Sequence, residues 1–372
     1  MSSIVYVGMD VHTVNYTLCC YILEGFTFFA ETTIKPYYQL VLEYLRNVEK
    51  MRGEECHFIC GYEAGCLGYS LYNELTSHGI ECIILAPSTM ATQRSNQIVN
   101  DKRDAQKIAT CLAYNTYSHV HVPTEEDNAV KEYIRLRDDV KATEKRIKQQ
   151  IIAFCTRNGK LFTEGRNYWT KKHLDWIKRL TFSNVILYET LQEYLTLYYQ
   201  AIDKIKLYDK RIEEFANTEQ YKEKVDMLSC FIGVKTLTAL ATIVEVGDFQ
   251  RFPTASHFAS YLGLVPGEDS SGSSIRRTGI TKAGNSHIRK LLIESAQSYS
   301  RGAVGKKSKA LIARQKGQEP KVIAYADRAN ERLKRKFYRM VSKSNRKRNV
   351  AVAAIARELA CFIWGMMTDN IA

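Results

Sequence analysis

Four acidic side chains in this sequence stand where backbone elements end or begin. Asp10 follows the apolar run Ile4-Val-Tyr-Val-Gly8, Glu63 follows the run from Cys56 to Tyr62, and Asp101 and Asp104 lie three apart after Asn100. A helix beginning there puts both of the last two on one face. Carboxylates gathered in one place resist ionising together, so a cluster of four calls for cations, and hard divalent ions bound through oxygen suit it. Two such ions about 3.5–4 Å apart would stabilise the attacking and leaving oxygens at a scissile phosphate. The plainer reading is that such carboxylates are caps and surface charges, as Asp101 alone would be.

A second stretch, 266–285, reads PGEDSSGSSIRRTGITKAGN. Four serines broken by a glycine have the composition of a flexible loop. Yet they run directly into Arg276, Arg277 and Lys282. A hydroxyl in such a place attacks a phosphodiester only if it is activated or if its leaving group is helped away.

The elements that must position these groups follow from periodicity. Ile4 to Gly8, Tyr16 to Ile22 and Gly25 to Thr33 read as three strands of a meander; Tyr37 to Lys50 is helical, with Leu40, Val41, Tyr44, Leu45 and Val48 on one stripe. Cys56 to Tyr62 is a strand, Leu67 to His78 a helix stopped by Gly79, Glu81 to Leu85 a strand stopped by Pro87, and Asn100 to Tyr114 a helix. Three strands followed by helix, strand, helix, strand, helix is the order of an RNase H-like α/β domain. In that sheet the first strand neighbours the strand of Glu63, and their ends face the start of the last helix.

Strand signals then fade. Glu125 to Phe154 and Asn184 to Phe215 are long, charged and periodic, as expected of two helices packed in an antiparallel hairpin or an interchain coiled coil, with 158–169 as an irregular tip. Tyr194, Tyr198 and Tyr199 are read as core. Beyond Met227 come two apolar segments around Gly233, the serine stretch, a helix from Ser286 to Ser300, a basic segment and an apolar helix from Val350 to Met367. The organisation expected is α/β plus α, with parts at 1–122, 123–224 and 225–372.

Composition narrows the partners. The 372 residues carry a formal net charge of +13, which favours a polyanion such as nucleic acid. From Arg301 to Arg348 seventeen Lys/Arg face three Asp/Glu, more than pairing along a helix neutralises, so this segment reads as a contact for phosphate backbones. The ten cysteines form no CxxC pair, which argues against a zinc ribbon and for buried reduced thiols. The N-terminus has no signal-peptide pattern, and no uninterrupted apolar run of membrane-spanning length is evident. The expectation is a cytosolic, reduced protein with no membrane partner.

Taken in order, Asp10 in GMDVH, Glu63 in GYEAG, Asp101 and Asp104 in NDKRDAQKIA, a helical spacer, and YLGLVPGEDSSGSSIRRTGITKAGNSHIRKLL resemble the DEDD-type transposases of the insertion-sequence 110 family, whose cousins are the Piv-like DNA invertases. The resemblance spans essentially the whole chain. It implies a RuvC-like N-terminal domain in which Asp10, Glu63, Asp101 and Asp104 hold Mg2+ or Mn2+, a coiled-coil spacer, and a mostly helical C-terminal transposase domain with a catalytic serine. Counting five residues from Pro266 gives Ser271, with Ser270 as its neighbour. By position in the matching block, Arg276, Arg277, Lys282 and Arg289 become candidates for phosphate contacts. The family implies recombination guided by a bridge RNA that pairs with donor and target DNA, and a homo-oligomer, dimer or tetramer, in a bacterial or archaeal cytoplasm. Phe231 and Cys230 depart from the helix-hairpin-helix-like Ile-Pro-Gly-Ile-Gly of many members, which casts doubt on phosphate binding by that turn.

Three other activities fit parts of the pattern. An unguided site-specific invertase would share both sites but need no RNA. A RuvC-like nuclease would use the carboxylates to activate water. A non-catalytic nucleic-acid-binding protein would use neither.

Overall fold

Apolar runs, buried on both faces at their centres, build a five-stranded sheet in the first part of the chain. Its strands are β1 (Ser3–Val11), β2 (Tyr16–Ile22), β3 (Thr27–Ile34), β4 (Cys56–Glu63) and β5 (Glu81–Leu85), in spatial order β3-β2-β1-β4-β5. The first three form an antiparallel meander, and β4 and β5 run parallel to β1. Helices α1 (Tyr38–Arg52), α2 (Ser70–Ser77) and α3 (Asp101–Tyr114) complete this part. The computed structural model describes residues 3–65, 67–90, 100–269, 276–344 and 347–371. The chain forms two compact units, Met1–Val122 and Pro123–Ala372.

In the first unit the two faces of the sheet have different covers. Val5, Val7 and Met9 of β1 and Phe58, Cys60 and Tyr62 of β4 share a buried cluster with Val41, Leu45 and Val48 of α1 and with Leu71 and Leu75 of α2. The alternate residues face α3, where Ile108, Cys111 and Leu112 pack with Leu85 and the partly buried Tyr6, Ile59 and Ile83. The expected adjacency of β1 and β4 is present, with Met9 paired to Tyr62. The strand expected to end at Asp10 runs one residue further, because Val11 still pairs with Tyr16 of β2.

The second unit is helical: α4 (Glu125–Arg157), α5 (Lys171–Lys178), α6 (Val185–Ala216), α7 (Lys222–Leu228), α8 (Thr236–Val246) and α9 (Ala255–Tyr261) precede a two-stranded hairpin of β6 (Pro266–Glu268) and β7 (Arg277–Ile280), after which come α10 (Ser286–Ala296), α11 (Lys309–Gln315), α12 (Pro320–Tyr338) and α13 (Arg348–Met367). Helices α4 and α6, of 33 and 32 residues, pair within the chain. Val130 and Ile134 early in α4 cluster with Ile212 and Ala216 late in α6, while Ile151 and Phe154 meet Leu191 and Leu195, so the pair is antiparallel. Tyr198 is buried in that second cluster, as the stripe implies. The unforeseen α5 belongs to it through Ile177, which is fully buried.

Helix α13 is long and apolar enough, by length and composition, to cross a membrane, with a mean hydropathy of 1.7. Half of it is buried within the unit, where Ile355, Leu359 and Ile363 lie in the main helical core. The nine described cysteines are free, and seven of them are buried.

Charges hold α4, α8 and α10 together. His287 on α10 lies between two carboxylates, with Nδ1 3.1 Å from Glu245 of α8 and Nε2 3.2 Å from Asp138 of α4. Arg135 donates twice to Glu245, at 3.1 and 3.2 Å, and Arg137 donates to Asp138 at 3.1 Å. The hydrogen bonds to Asp138 and Glu245 raise the imidazole to about 9. Those from His287, with Arg137 adding to them, draw Asp138 down to about 2. Burial works against ionisation of Glu245, but His287, Asn285 and Arg135 together draw it down to about 2.

Replacing His287 by Ala removes one partner from each of two largely buried carboxylates, which keep Arg135 and Arg137, and is expected to cost about 1.5–3 kcal/mol. The stabilisation from the imidazolium is complete below its unfolded value of about 6.5 and is lost as pH rises through about 9. Urea unfolding of the wild type and His287→Ala should therefore show a gap that is widest near pH 6 and shrinks toward pH 10. A pH-independent gap would mean that shape, not charge, holds these helices.

A candidate metal centre and a serine hairpin

The acidic site begins with a glycine. A Cβ on Gly8 would stand 2.0 Å from the Ala105 carbonyl oxygen and 2.4 Å from the Ala109 nitrogen, so only glycine lets α3 lie this close to β1. Gly61 on β4 does the same for Leu112, whose methyl carbons would be 2.9 and 3.0 Å from a Cβ. Polar ties fix how far α3 slides. Glu31 on β3 holds Lys102 at 2.8 Å and accepts from Gln106 at 3.1 Å, and the Tyr21 and Tyr114 hydroxyls meet at 3.2 Å.

This placement brings the first turn of α3 to the end of β1. The helix is capped by Asn100, whose side chain accepts from the Arg103 amide at 2.9 Å, so Asp101 is not needed as the cap. Among the described residues, the ligand atoms of Asp10, His12 and Asp101 all lie within 4.8 Å of one another. His12 Nε2 is 3.2 Å from Asp10 Oδ2. Burial raises the Asp10 carboxyl above its ordinary value; the His12 charge and hydrogen bond oppose this, and the negative charges of Asp101 and Asp104 add to it. Asp104 thus acts on Asp10 electrostatically. Glu63 follows the Met9–Tyr62 pair at the level of Asp10, and its carboxylate lies 3.4 Å from Lys107 of α3.

Of the four expected carboxylates, Asp10 and Asp101 form the tight group, Asp104 shares the first turn of α3 with Asp101 but lies outside that group, and Glu63 carries a lysine. His12 was not anticipated. Its signal was present in GMDVH, two residues beyond Asp10, where the chain has just left the strand. The carboxylates are donors suited to Mg2+ or Mn2+, while the imidazole of His12 is a softer donor than such ions require. The Asp10 carboxyl, raised chiefly by burial and further by Asp101 and Asp104, fits as well, because a cation would favour its ionised form.

The serine stretch has a defined stem. Glu268 pairs with Arg277 and Pro266 with Ile280, and the Asp269 amide donates to the Arg276 carbonyl at 2.8 Å. Ser270 and Ser271 lie outside the described residues. At the base of the stem, a Cβ on Gly284 would meet the Tyr261 carbonyl oxygen at 1.9 Å, and one on Gly263 the Ala283 oxygen at 2.1 Å; both glycines have positive φ. Arg289 Nη1 donates to the carbonyls of Leu262 at 2.9 Å and Ala283 at 3.4 Å. Its guanidinium therefore clamps the base of the hairpin. Lys282 and Arg276 are exposed on the stem; the Arg277 side chain is outside the described residues.

The turn around Gly233 is built into the core. Phe231 and Cys230 are fully buried, the Ile232 amide donates to Asn330 Oδ1 at 2.8 Å, and a Cβ on Gly233 would meet the Ser295 carbonyl at 2.3 Å. The Ile232 amide is thereby engaged internally, where the family's turn can offer amides to phosphate.

An acidic cluster suited to divalent ions in one unit and a large excess of cations in the other make up an enzyme that handles a polyanion. Residues 7–157 match the DEDD-type family model described as "Transposase", and residues 226–312 match the model described as "Transposase IS116/IS110/IS902 family". The chain is 33% identical over 340 residues to the transposase for insertion sequence element IS1533 of Leptospira borgpetersenii, covering 90% of this chain and 95% of that protein. It is 26% identical over 266 residues to the transposase for insertion sequence element IS1111A of Coxiella burnetii, covering 69% and 71%. The chain belongs to the IS110 family of insertion-sequence transposases.

Two substitutions test the site. Gly8→Ala forces α3 off the sheet, with an overpacking cost of about 1–3 kcal/mol, and should abolish stabilisation of the fold by Mn2+. Asp10→Asn removes a carboxyl that burial and repulsion disfavour as an anion, so the melting temperature without divalent ions should rise while the Mn2+-induced increase disappears. An Mn2+ shift that survives Asp10→Asn would place the ion elsewhere.

Proposed function

We propose that this transposase cuts and rejoins DNA through a covalent phosphoserine on Ser271, with Asp10, Glu63, Asp101 and Asp104 as its metal-holding site and a structured guide RNA selecting donor and target DNA. One observation carries the reading: a single chain of this family holds both a carboxylate cluster packed under α3 and a serine-bearing hairpin braced at its base. The strand order β3-β2-β1-β4-β5, with α3 laid over β1, supports regarding the first unit as RuvC-like.

The protein's own groups divide the work. Asp10 and Asp101, with His12 beside them, form the donor set, and Lys107 balances Glu63 at its edge. Bound divalent ions would supply polarisation of the phosphate and charge stabilisation at the leaving oxygen. Ser271 Oγ forms its bond to phosphorus as the bond from phosphorus to the 3′ oxygen breaks. The serine proton passes to a base or to solvent, and the 3′ oxygen departs as a hydroxyl. The serine ester keeps the phosphodiester energy, so a 3′ hydroxyl from another strand can reverse the step and rejoin DNA without ATP. Because hydrolysis would waste that ester, strand exchange suits this pairing of groups better than nuclease action.

Assembly of two or four protomers, with the acidic site of one serving the serine of another, belongs to the same reading. Leu197 and Leu207 on α6 and Val185 and Ile186 at its start are exposed, and such a surface supports contact between copies.

The test is a labelled donor duplex incubated with Mn2+, the protein and its co-purifying RNA, then run under denaturing conditions. Wild type should give a protease-sensitive protein–DNA adduct whose modified peptide contains Ser271. Ser271→Ala and Asp10→Asn should each lower adduct formation and recombination by roughly 10³-fold or more, with duplex binding retained. An adduct persisting in Ser271→Ala sinks the serine assignment, and mapping would show whether Ser270 is the nucleophile. Recombination at unchanged sites after RNase treatment would leave an unguided invertase.

A further inference from the structure

Beyond the hairpin and the acidic cluster, one lysine is buried without a carboxylate. Lys334 on α12 is 5% exposed, and its ammonium donates to the Ala303 carbonyl at 3.1 Å. Among the described residues no carboxylate lies within ion-pair distance of it. Burial lowers its pKa below the ordinary lysine value. An ammonium removed from water with a single carbonyl acceptor is costly, so its retention calls for a partner.

Lys334 lines a pocket of about 160 Å³ between residues 301–308 and α12, together with Lys306, Lys307, Asp327, Asn330 and Glu331. The pocket's other polar groups are already engaged. Lys307 pairs with Asp327 and also donates to Gln315 at 2.8 Å. Asn330 accepts from the Ile232 amide and the Tyr299 hydroxyl and donates to the Cys230 carbonyl. Glu331 is paired with Arg335. That leaves Lys334 and the exposed Lys306 as the cations without a carboxylate. At about 30 Å³ per water, the space holds roughly five waters, enough for one tetrahedral anion and its hydration.

The neighbouring surface indicates where that anion comes from. Glu331 also borders an open groove of about 560 Å³ lined by Arg328, Arg332, Arg335, Lys336 and Arg339. Arg328, Arg332 and Arg335 recur at helical spacing on α12, and Arg339 follows its last residue. Glu358 pairs with Arg332 and Lys336, and Glu331 with Arg335, so the groove sets five cations against two carboxylates. A lone phosphate would use the pocket and ignore the groove; a chain of phosphates uses both.

We infer that the pocket between residues 301–308 and α12 seats one phosphate of a DNA backbone, held by Lys334 and Lys306, with the following phosphates tracking along the arginine groove. Such contacts fix position without reading bases, so they act on any sequence. The choice of DNA as the source rests on the transposase reading; the phosphate chemistry does not.

The experiment measures binding of a labelled 20-base-pair duplex of arbitrary sequence to the full chain over a salt series. It compares wild type with Lys334→Met, which keeps the shape of the side chain, and Lys306→Gln, which changes only an exposed one. Each variant should bind about tenfold more weakly and lower the slope of log K against log salt by about 1. In phosphate-free buffer Lys334→Met should melt no lower than wild type, since it removes an uncompensated buried charge. Inorganic phosphate should raise the melting temperature of the wild type and not that of Lys334→Met. Unchanged affinity and slope in both variants overturn the inference. So does phosphate protection lost in Lys334→Met with duplex binding intact, because the site would then take free phosphate. A wild type that binds no duplex sinks the DNA reading and this inference together, whereas a wild type that binds no better than its variants sinks this inference alone.

Discussion

The approach of α3 to β1 at Gly8 governs the first unit. With the Ala105 carbonyl 2.0 Å from where a Cβ would be, the helix cannot tolerate any side chain there, and its height above the sheet is fixed. That height decides whether the carboxylates of its first turn can reach the end of the strand. Held against β1, the exposed Asp101 shares a 4.8 Å group with Asp10 and His12; raised by the width of a methyl group, it would stand farther from both. The same closeness puts like charges together, and their repulsion adds to the burial that raises the Asp10 carboxyl. Lys102 and Lys107 pair with Glu31 and Glu63 at the margins, so the repulsion is concentrated where a cation would be useful.

The second unit treats its interior charges differently. His287 has a carboxylate on each ring nitrogen, and those carboxylates have arginines of their own. Every formal charge there has an opposite within hydrogen-bond reach, which makes the network a brace between α4, α8 and α10. Asp10 and Lys334 lack that completeness in opposite senses: one is a half-buried carboxyl with only His12 to set against two neighbouring carboxylates, the other a buried cation with only a carbonyl. Charges whose partners are all present build structure; charges with a missing partner mark where something binds.

Much of the first unit could be read from the sequence because its signals are local. Apolar alternation in Ile4 to Gly8 and Cys56 to Tyr62, and the helical stripe after Tyr37, depend on neighbours a few residues away. What escaped depends on contacts between distant residues. Nothing in the sequence ties Gly8 to Ala105, and without that contact Gly8 is simply a glycine in a strand. Arg289, in a block of basic residues beside a serine loop, suggested a phosphate ligand, but its position on α10 aims it at the carbonyls of Leu262 and Ala283. His12 was overlooked because a histidine just past a strand has no periodicity to betray it. Ser271 was located only by counting along a family motif, since no local property separates it from three neighbouring serines.

Charge is also unevenly shared between the units. Residues 1–122 hold eight Lys/Arg and twelve Asp/Glu, so the positive excess of the chain lies wholly in residues 123–372. A DNA backbone is thus attracted by the unit that carries the serine hairpin and the arginine groove, and repelled by the unit that carries the acidic cluster. Divalent ions held by Asp10 and Asp101 would reverse that sign locally, giving the first unit a point able to accept a phosphate oxygen. On that reading, attraction of DNA and catalytic competence would be separate properties, the first set by the cationic unit and the second by the ion. An enzyme that must hold DNA ends together without cutting at every contact gains from that separation, because binding by the cationic unit alone leaves the phosphodiester intact.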